Sequence, residues 1–373
     1  MIKIKRPTLL LDKQKCLSNI AFMVNKAREK NLVLRPHFKS HQSHTIGSWY
    51  RNAGTEKITV SSMVMANFFA TDGWDDIAVA FPFNIHEIEE ANKLASSITL
   101  HLTVCSPETA SFIANNITSP VNIYIKIDTG YHRTGLYPEN TQVIDAILDV
   151  VNSSDKLKFT GFLVHSGETS KVRSREDVEK IHVDSLKKLS ELRRRYENKW
   201  PGMIISTGDT PTAVLMEDFT GIDEIRPGKF VFFDLTQHYV GACSISGISI
   251  VMACPVVAKH PERKEIVIYG GAIHFSKDEL ILPDGKRVYG QVTELTDNGW
   301  SDKPVKGAYL CDLSQEHGII RGSDEFFEKT VPGMILGIIP ARACLSVNLM
   351  QGPVTTDNEK IDHFSTVKTQ YGA

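Results

Sequence analysis

Up to about residue 228, short β-branched apolar runs alternate with longer amphipathic stretches. The runs occupy residues 32–34, 57–60, 76–80, 99–104, 121–127, 159–164, 203–206 and 222–225. Between them lie segments with apolar residues at helical spacing, 42–52, 63–71, 85–96, 107–115, 141–151, 175–196 and 211–218, and another at 13–30 precedes the first run. Eight strands separated by seven helices, with a helix ahead of the set, predict an α/β chain built on a parallel (β/α)8 barrel. A doubly wound sheet is the structural competitor, but it accommodates eight units less naturally.

From Phe230 the texture changes. Runs such as "GISIVMACPVVAKH", "KEIVIYGG", "VYGQVTEL", "KGAYLCDL" and "GMILGIIP" are punctuated by Gly, Pro and Asp and lack helical periodicity. They predict a mostly antiparallel β domain after the barrel, with the N-terminal "MIKIKRPTLLL" pairing into it as a strand. The expected division is a barrel over 12–235 and a β domain over 236–373 together with 1–11.

Composition narrows the function classes. The 373 residues exceed the about 250 of a barrel alone, leaving room for the second domain. A net charge of −2 gives no field to collect nucleic acid or an anionic membrane. The first residues lack the apolar core of about 7–15 residues found in signal peptides, and no window approaches the ~20 apolar residues of a membrane span. Six cysteines without short paired spacing read as reduced thiols of a cytoplasmic protein.

The candidate chemistry lies just after the strand candidates. The first run leads into "RPHFKSH", which sets Lys39 between His37 and His41. The fifth opens "KIDTGYHRTG", with Arg133 and Gly135; the sixth ends in His165. The seventh runs into "STGDTPT", containing Ser206, Thr207, Gly208, Asp209 and Thr210, and the eighth into Arg226, Gly228 and Lys229. In a parallel barrel the active site collects at the C-terminal strand ends, and the last two loops commonly bind phosphate. Each group has a bland alternative: Lys39 as a solvated lysine, His165 as a packed histidine, Arg133 as an ion-pair partner. The "STGDTPT" loop also reads as a plain helix cap with Pro211 at the first turn. Asp209 would repel phosphate unless it points away to cap that helix. Jointly the bland readings do not explain why these groups recur at one end of the strands. A lysine nucleophile, buried beside a positive neighbour such as Arg133 that lowers its pKa, together with a phosphate cradle suggests pyridoxal 5'-phosphate. His165 would then stack on the cofactor ring, and Arg226 would face its pyridine nitrogen and temper the electron sink.

"RPHFKSH", "IDTGYHRTG", "STGDTPT" and "EIRPGKFVFFDL", in that order, resemble the alanine-racemase-type (fold type III) pyridoxal-phosphate enzymes. Within them the sequence is most similar to the branch of D-threonine aldolases and eukaryotic-type D-serine dehydratases. The segments "LSQEHG" (313–318) and "IPARACLSVNL" (339–349) resemble that branch's C-terminal β domain. The resemblance implies a homodimer, Lys39 carrying the cofactor, and Arg133 near its phenolic oxygen. It implies Ser206, Thr207, Gly208, Thr210, Gly228 and Lys229 around its phosphate, and His37 and His165 are expected beside the cofactor.

In those relatives a divalent metal is held by a His-x-Cys or His-x-Asp pair at the segment matching "PARAC". Here the first position is Arg342, and only Cys344 remains. A guanidinium has no lone pair for a metal. The expectation is therefore no metal site, with Arg342 and Cys344 facing substrate and Arg342 supplying the positive charge; His274 and His317 show no ligand spacing. The expected activity is that of a lyase on small β-hydroxy D-amino acids, D-threonine aldolase-like, with Lys39, His165, His317 and Arg133 as catalytic candidates. D-serine dehydration, racemisation and a non-catalytic pyridoxal-phosphate carrier are the alternatives. The ~140 residues after the barrel count against the carrier.

Overall fold

The computed structural model describes residues 3–282 and 284–364. The chain opens with strand β1 (Thr8–Leu11) and helix α1 (Lys13–Glu29). Eight parallel strands follow: β2 (Val33–Leu34), β3 (Ile58–Val60), β4 (Asp76–Pro82), β5 (Thr99–Val104), β6 (Val121–Ile127), β7 (Leu157–Val164), β8 (Ile204–Thr207) and β9 (Glu224–Ile225). They pair in the order β2-β9-β8-β7-β6-β5-β4-β3. A parallel bridge between His37 and Thr59 joins the two ends, and the Thr59 N–H donates to the Pro36 carbonyl at 2.9 Å. The sheet is thus the closed parallel barrel that the periodicity predicts.

Local chemistry explains the intervening helices. Ser62, Ser106 and Ser174 cap the helices Met63–Ala70, Pro107–Asn116 and Arg175–Tyr196, each side chain accepting a backbone N–H from the first turn. The stretch expected as one helix over 85–96 divides into a 3-10 turn, Ile85–Glu87, capped by Asn84, and the helix Ile88–Ala95. The helix expected over 211–218 runs instead over Thr210–Leu215. Asp209 caps its start, and at its end Met216 turns extended while Lys26 Nζ donates to the Val214 carbonyl at 2.6 Å. Gly161 sits at a bulge where β7 meets β6. A Cβ there would stand 1.9 Å from the Ile204 carbonyl oxygen of β8, so only glycine passes.

The described residues divide into two compact units, one of 22–39, 47–228 and 364, the other of 3–21, 40–46 and 229–363. In the second, β10 (Ile250–His260), β11 (Glu265–Tyr269), β12 (Leu280–Ile281), β13 (Arg287–Val288), β14 (Gly290–Thr293), β15 (Leu295–Thr296), β16 (Gly299–Trp300), β17 (Tyr309–Leu313), β18 (His317–Arg321), β19 (Ile335–Pro340) and β20 (Val354–Thr355) follow in turn. The long strand β10 pairs antiparallel with β19 through its middle and with β11 through its end. The order β11-β18-β17-β14-β19-β10 closes on itself through the β10–β11 pairing, an antiparallel β-barrel. Strand β1 adds to β10 antiparallel, as the N-terminal apolar run predicts, and β20 joins β1 in parallel. The segment matching "IPARACLSVNL" holds an unexpected helix, Ala343–Met350. Met1 and Ile2 of the expected N-terminal strand, and residues 365–373 of the expected β domain, lie outside the described residues.

Candidate active site

Lys39 follows β2 in a single 3-10 turn, Phe38–Ser40. Phe38 is fully buried, its ring 5.1 Å from Tyr50, 4.9 Å from Phe69 and 5.0 Å from Trp74. Behind it the His37 N–H donates to the Pro227 carbonyl at 2.9 Å, and Thr59 Oγ1 donates to the Arg35 carbonyl at 2.8 Å. With Phe38 and Ser40 buried, the turn lifts Lys39 off the strand end. Lys39 is therefore exposed, not buried as the sequence suggests. Its charge nonetheless bears on His37, Lys126 and His165, which places the amine at the mouth of the barrel. Burial, then Lys39, Arg226, His165 and Lys126, hold His37 well below the usual imidazole range. Its Nδ1 is buried with no hydrogen-bond partner among the described residues.

The segment after β6 folds back on its own strand. Leu136 N–H donates to the Lys126 carbonyl at 2.9 Å, and Asp128 N–H to the Leu136 carbonyl at 2.8 Å. Gly135 makes this return with φ +117, where a Cβ would stand 2.9 Å from the Ile127 carbonyl carbon. The Asp128 carboxylate accepts the Gly130 N–H at 2.9 Å. Arg133 is thereby carried back toward Lys126, whose amine it influences, and its guanidinium lies 4.9 Å from the centre of the Tyr131 ring. Tyr131 also meets Lys171 Nζ at 5.1 Å and the His165 ring edge-on at 5.8 Å. It lies flush on Gly167, where a Cβ would come within 2.4 Å of the ring.

His165 Nδ1 donates to the Gly208 carbonyl in a short hydrogen bond, which fixes the proton on Nδ1 and leaves Nε2 as the lone-pair nitrogen. Burial, Lys126, Lys39 and Arg133 drive its pKa well below normal. Asp209 points away from the loop: its carboxylate accepts the Thr212 N–H at 2.7 Å and Thr169 Oγ1 at 3.0 Å, as expected of a helix cap. Gly208 borders Arg226, whose Nη2 would lie 3.0 Å from a Cβ there. Thr207 closes β8, its carbonyl accepting the Arg226 N–H at 2.7 Å, and Thr210 opens the next helix. Gly228 ends the 47–228 segment of this unit.

Ser206 does not join the loop. Its buried hydroxyl donates to Glu224 Oε1 at 2.5 Å and accepts from Arg226 Nη1. Glu224 also accepts from Tyr124 at 3.1 Å and from Arg35 Nε at 2.7 Å, and Arg35 meets Asp76 at 2.6 Å. Lys229, His317, Arg342 and Cys344 belong to the other unit. There His317 is exposed on β18, and Arg342 Nε lies 3.4 Å from Asp278 Oδ2. Among the described residues no three His, Cys, Asp or Glu side chains are grouped to hold a metal ion.

Lys126 adds a group that the sequence pattern does not mark as a candidate. It is 3 % exposed on β6, and burial, Arg226 and Arg133 push its amine well below the ordinary lysine range. Alternation in "VNIYIKI" was the available signal, since Tyr124 and Lys126 share one face of the strand. Lys39, Lys126, Arg133 and Arg226 therefore gather where the nearby carboxylates are already engaged, Glu224 by Arg35 and Ser206, Asp209 by its helix. Such a cluster favours an anion. The glycine beside Arg226 and the buried, unpartnered Arg226 Nε suit a flat heteroaromatic phosphate, so the residues present fit pyridoxal 5'-phosphate.

Neutral, buried histidines set a pH dependence. Below the unfolded value near ~6.5, His37 and His165 bind protons only in the unfolded chain, because their folded pKa values are lowered. Unfolding then takes up protons, and stability falls as pH drops, by about 1.4 kcal/mol per pH unit for each such histidine. Urea midpoints of the cofactor-free protein from pH 7 to pH 5 are expected to show this slope, and His165→Asn to reduce it.

Comparison with known proteins agrees with this geometry. The alanine racemase N-terminal domain family matches residues 11–236, more than half of the chain, and a serine dehydratase domain matches residues 249–355. The chain is 26% identical to D-threo-3-hydroxyaspartate dehydratase of Delftia sp. (strain HT23), covering 92% of each. It is 25% identical to D-serine dehydratase of Dictyostelium discoideum, covering 94% of this chain and 93% of that one. The solved structure of the Delftia enzyme superimposes with a TM-score of 0.88 at 24% identity, over 97% of this chain and 98% of that one. D-threonine aldolase from Filomicrobium marinum gives 0.78 at 16% identity, over 97% and 96%. A parallel barrel with a lysine at its mouth, an antiparallel β unit and both domain matches have one common reading: the chain belongs to the alanine racemase N-terminal domain family and is a fold type III pyridoxal-phosphate-dependent enzyme.

Proposed function

We propose that the protein is a lyase acting on small β-hydroxy D-amino acids, and that it eliminates the β-hydroxyl as water. The observation that carries the lyase reading is the convergence of Lys39, His165, Arg133, Lys126 and Arg226 on one barrel mouth. The serine dehydratase match over residues 249–355 favours dehydration over Cα–Cβ cleavage. The curated dehydratases that the chain resembles point the same way.

Lys39 is the covalent anchor, and bound pyridoxal 5'-phosphate supplies an electron sink for a carbanion at Cα. Gly208, Thr207, Thr210, Gly228 and Lys229 are assigned to the phosphate, and Arg133 to the phenolic oxygen. Arg226 is assigned to the ring nitrogen and, as a cation, would keep that nitrogen unprotonated. His37 borders the cofactor on the lysine side. With the cofactor and substrate bound, Lys39 Nζ would take the Cα proton. His165, held by Gly208, presents the lone pair of Nε2 toward the mouth and keeps its side of the site uncharged. His317 remains the second candidate for proton transfer. Aldolase chemistry, the outcome first expected from the motifs, uses the same groups but requires a base on the β-hydroxyl rather than on Cα.

Purified protein incubated with D-serine, D-threonine, D-threo-3-hydroxyaspartate and both alanines separates the outcomes. A 2-oxo acid with ammonia supports the proposal. Glycine with an aldehyde moves it to aldolase, and loss of optical activity alone moves it to racemase. The proposal includes a cytoplasmic setting, supported by six cysteines with no disulfide among them. It also includes a homodimer, supported by the resemblance and read by light scattering.

The residues at "PARAC" do not fit the metal pair of the relatives, because Arg342 offers no lone pair. Arg342 instead supplies a fixed positive charge for the substrate carboxylate or β-hydroxyl, with Cys344 beside it. Turnover is expected to survive chelation, while Arg342→Ala loses about 10²-fold in kcat/KM, the scale of one charge-assisted contact to a reacting group. Metal-dependent turnover by the wild-type protein would overturn this.

A further inference from the structure

We infer that Ser206 is a positioning residue, a one-hydroxyl relay through which the Glu224 carboxylate aims Arg226 at the ligand. The inference rests on the functional reading above and deepens it. Ser206 is fully buried, as is Glu224 at 1 % exposure. A carboxylate can only accept, so the Ser206 proton is committed to Glu224 Oε1 at 2.5 Å. The lone pairs of Oγ are then the groups that meet Arg226 Nη1. The other terminal nitrogen, Nη2, donates to the Val164 carbonyl at 2.6 Å. Each terminal nitrogen is thus held by one bond, and Nε is buried and without a partner among the described residues.

The arrangement also decides how much of the guanidinium charge is left. Two arginines lie inside the barrel, and Arg35 has two carboxylates, Glu224 at 2.7 Å and Asp76 at 2.6 Å. Arg226 meets a neutral hydroxyl and a carbonyl instead. Its charge is thus met by no carboxylate directly, with Glu224 acting on it across the Ser206 hydroxyl, while its orientation is secured. Burial lowers its pKa only to about 10, so it stays protonated at neutral pH. A carboxylate at position 206 would orient the fork equally well but quench the charge.

The test loads the full-length protein with cofactor labelled with 15N at the ring nitrogen. Covalent attachment at Lys39 is first checked by borohydride trapping and mass spectrometry. Ser206→Ala is expected to move the ring-nitrogen resonance away from its wild-type position and to weaken cofactor retention about tenfold. Ser206→Thr, which keeps the hydroxyl, should restore both. Ser206→Cys, nearly isosteric but a weak acceptor, should move the resonance in the same direction and serves if the alanine variant does not fold. Tyr124→Phe removes another donor to the same Glu224 oxygen and should leave the resonance in place. A resonance unmoved by Ser206→Ala or Ser206→Cys, with attachment intact, overturns the relay alone. A wild-type protein that takes up no cofactor at Lys39 overturns the functional reading and the relay with it.

Discussion

Lys39→Ala is expected to abolish covalent cofactor trapping and to lower turnover by at least about 10⁴-fold, the upper range for loss of a positioned proton-transfer group. Three features of the site make this the most sensitive position. The amine is placed by a turn whose neighbour, Phe38, is locked among three aromatic rings, so the backbone there is preorganised. It stands close enough to His37, Lys126 and His165 for its charge to act on all three. The same nitrogen is assigned both attachment and Cα proton transfer, so its removal strikes two steps. Lys126 lies nearby but is 3 % exposed, and it is not expected to substitute as an anchor. Borohydride reduction and peptide mapping check the first part, and product formation from D-serine checks the second. Reduced cofactor recovered on a Lys126 peptide in the wild-type protein would show that the anchor has been misassigned.

Much of the barrel was legible because its signal is periodic and repeated. Runs 99–104 and 121–127 became β5 and β6 with those bounds, and 175–196 became a helix capped by Ser174. The interior of the barrel was not legible, for a reason that Ser206 illustrates. The seventh run was expected to end at residue 206, with Ser206 opening a phosphate loop. The strand in fact runs one residue further, to Thr207, and Ser206 pairs in register with Glu224. Side chains alternate faces along a strand, and at this register the Ser206 hydroxyl meets Glu224 and Arg226. Lys126 was missed because a lysine within an isoleucine-rich run reads as a strand residue before it reads as chemistry. Arg35 stands in the quoted "RPHFKSH", and the need to pair its buried charge would have pointed to an acid elsewhere. Which acid it meets depends on closure of β2 against β9, a contact between residues nearly two hundred positions apart.

Glu224→Ala is expected to cost about 3–5 kcal/mol of stability, the range for breaking a buried ion pair by removing one partner. The carboxylate receives three donors, Arg35 Nε at 2.7 Å, Ser206 Oγ at 2.5 Å and Tyr124 OH at 3.1 Å. Alanine removes the acceptor of all three at a buried position, and each unsatisfied buried donor costs about 1–3 kcal/mol, non-additively. Glu224→Gln keeps one carbonyl oxygen and most of the volume, and should lose about half as much. Asp76→Ala should cost less than Glu224→Ala, because Asp76 is partly exposed and Arg35 keeps its bond to Glu224. The loss should also depend on pH in a defined direction. Burial raises the Glu224 pKa, but Arg35, Ser206 and Arg226 outweigh it and hold the carboxyl below the ordinary glutamate range. Its contribution is therefore complete above the unfolded value near ~4.3 and is lost as pH falls through the lower folded value. Urea unfolding of wild type and variant should accordingly show a constant difference from pH 8 to pH 5 that narrows in stronger acid. A difference that instead widened on acidification would mean that Glu224 is protonated in the folded barrel and donates rather than accepts. Arg35 would then depend on Asp76 alone, and Ser206 would no longer be constrained to face Arg226 with its lone pairs.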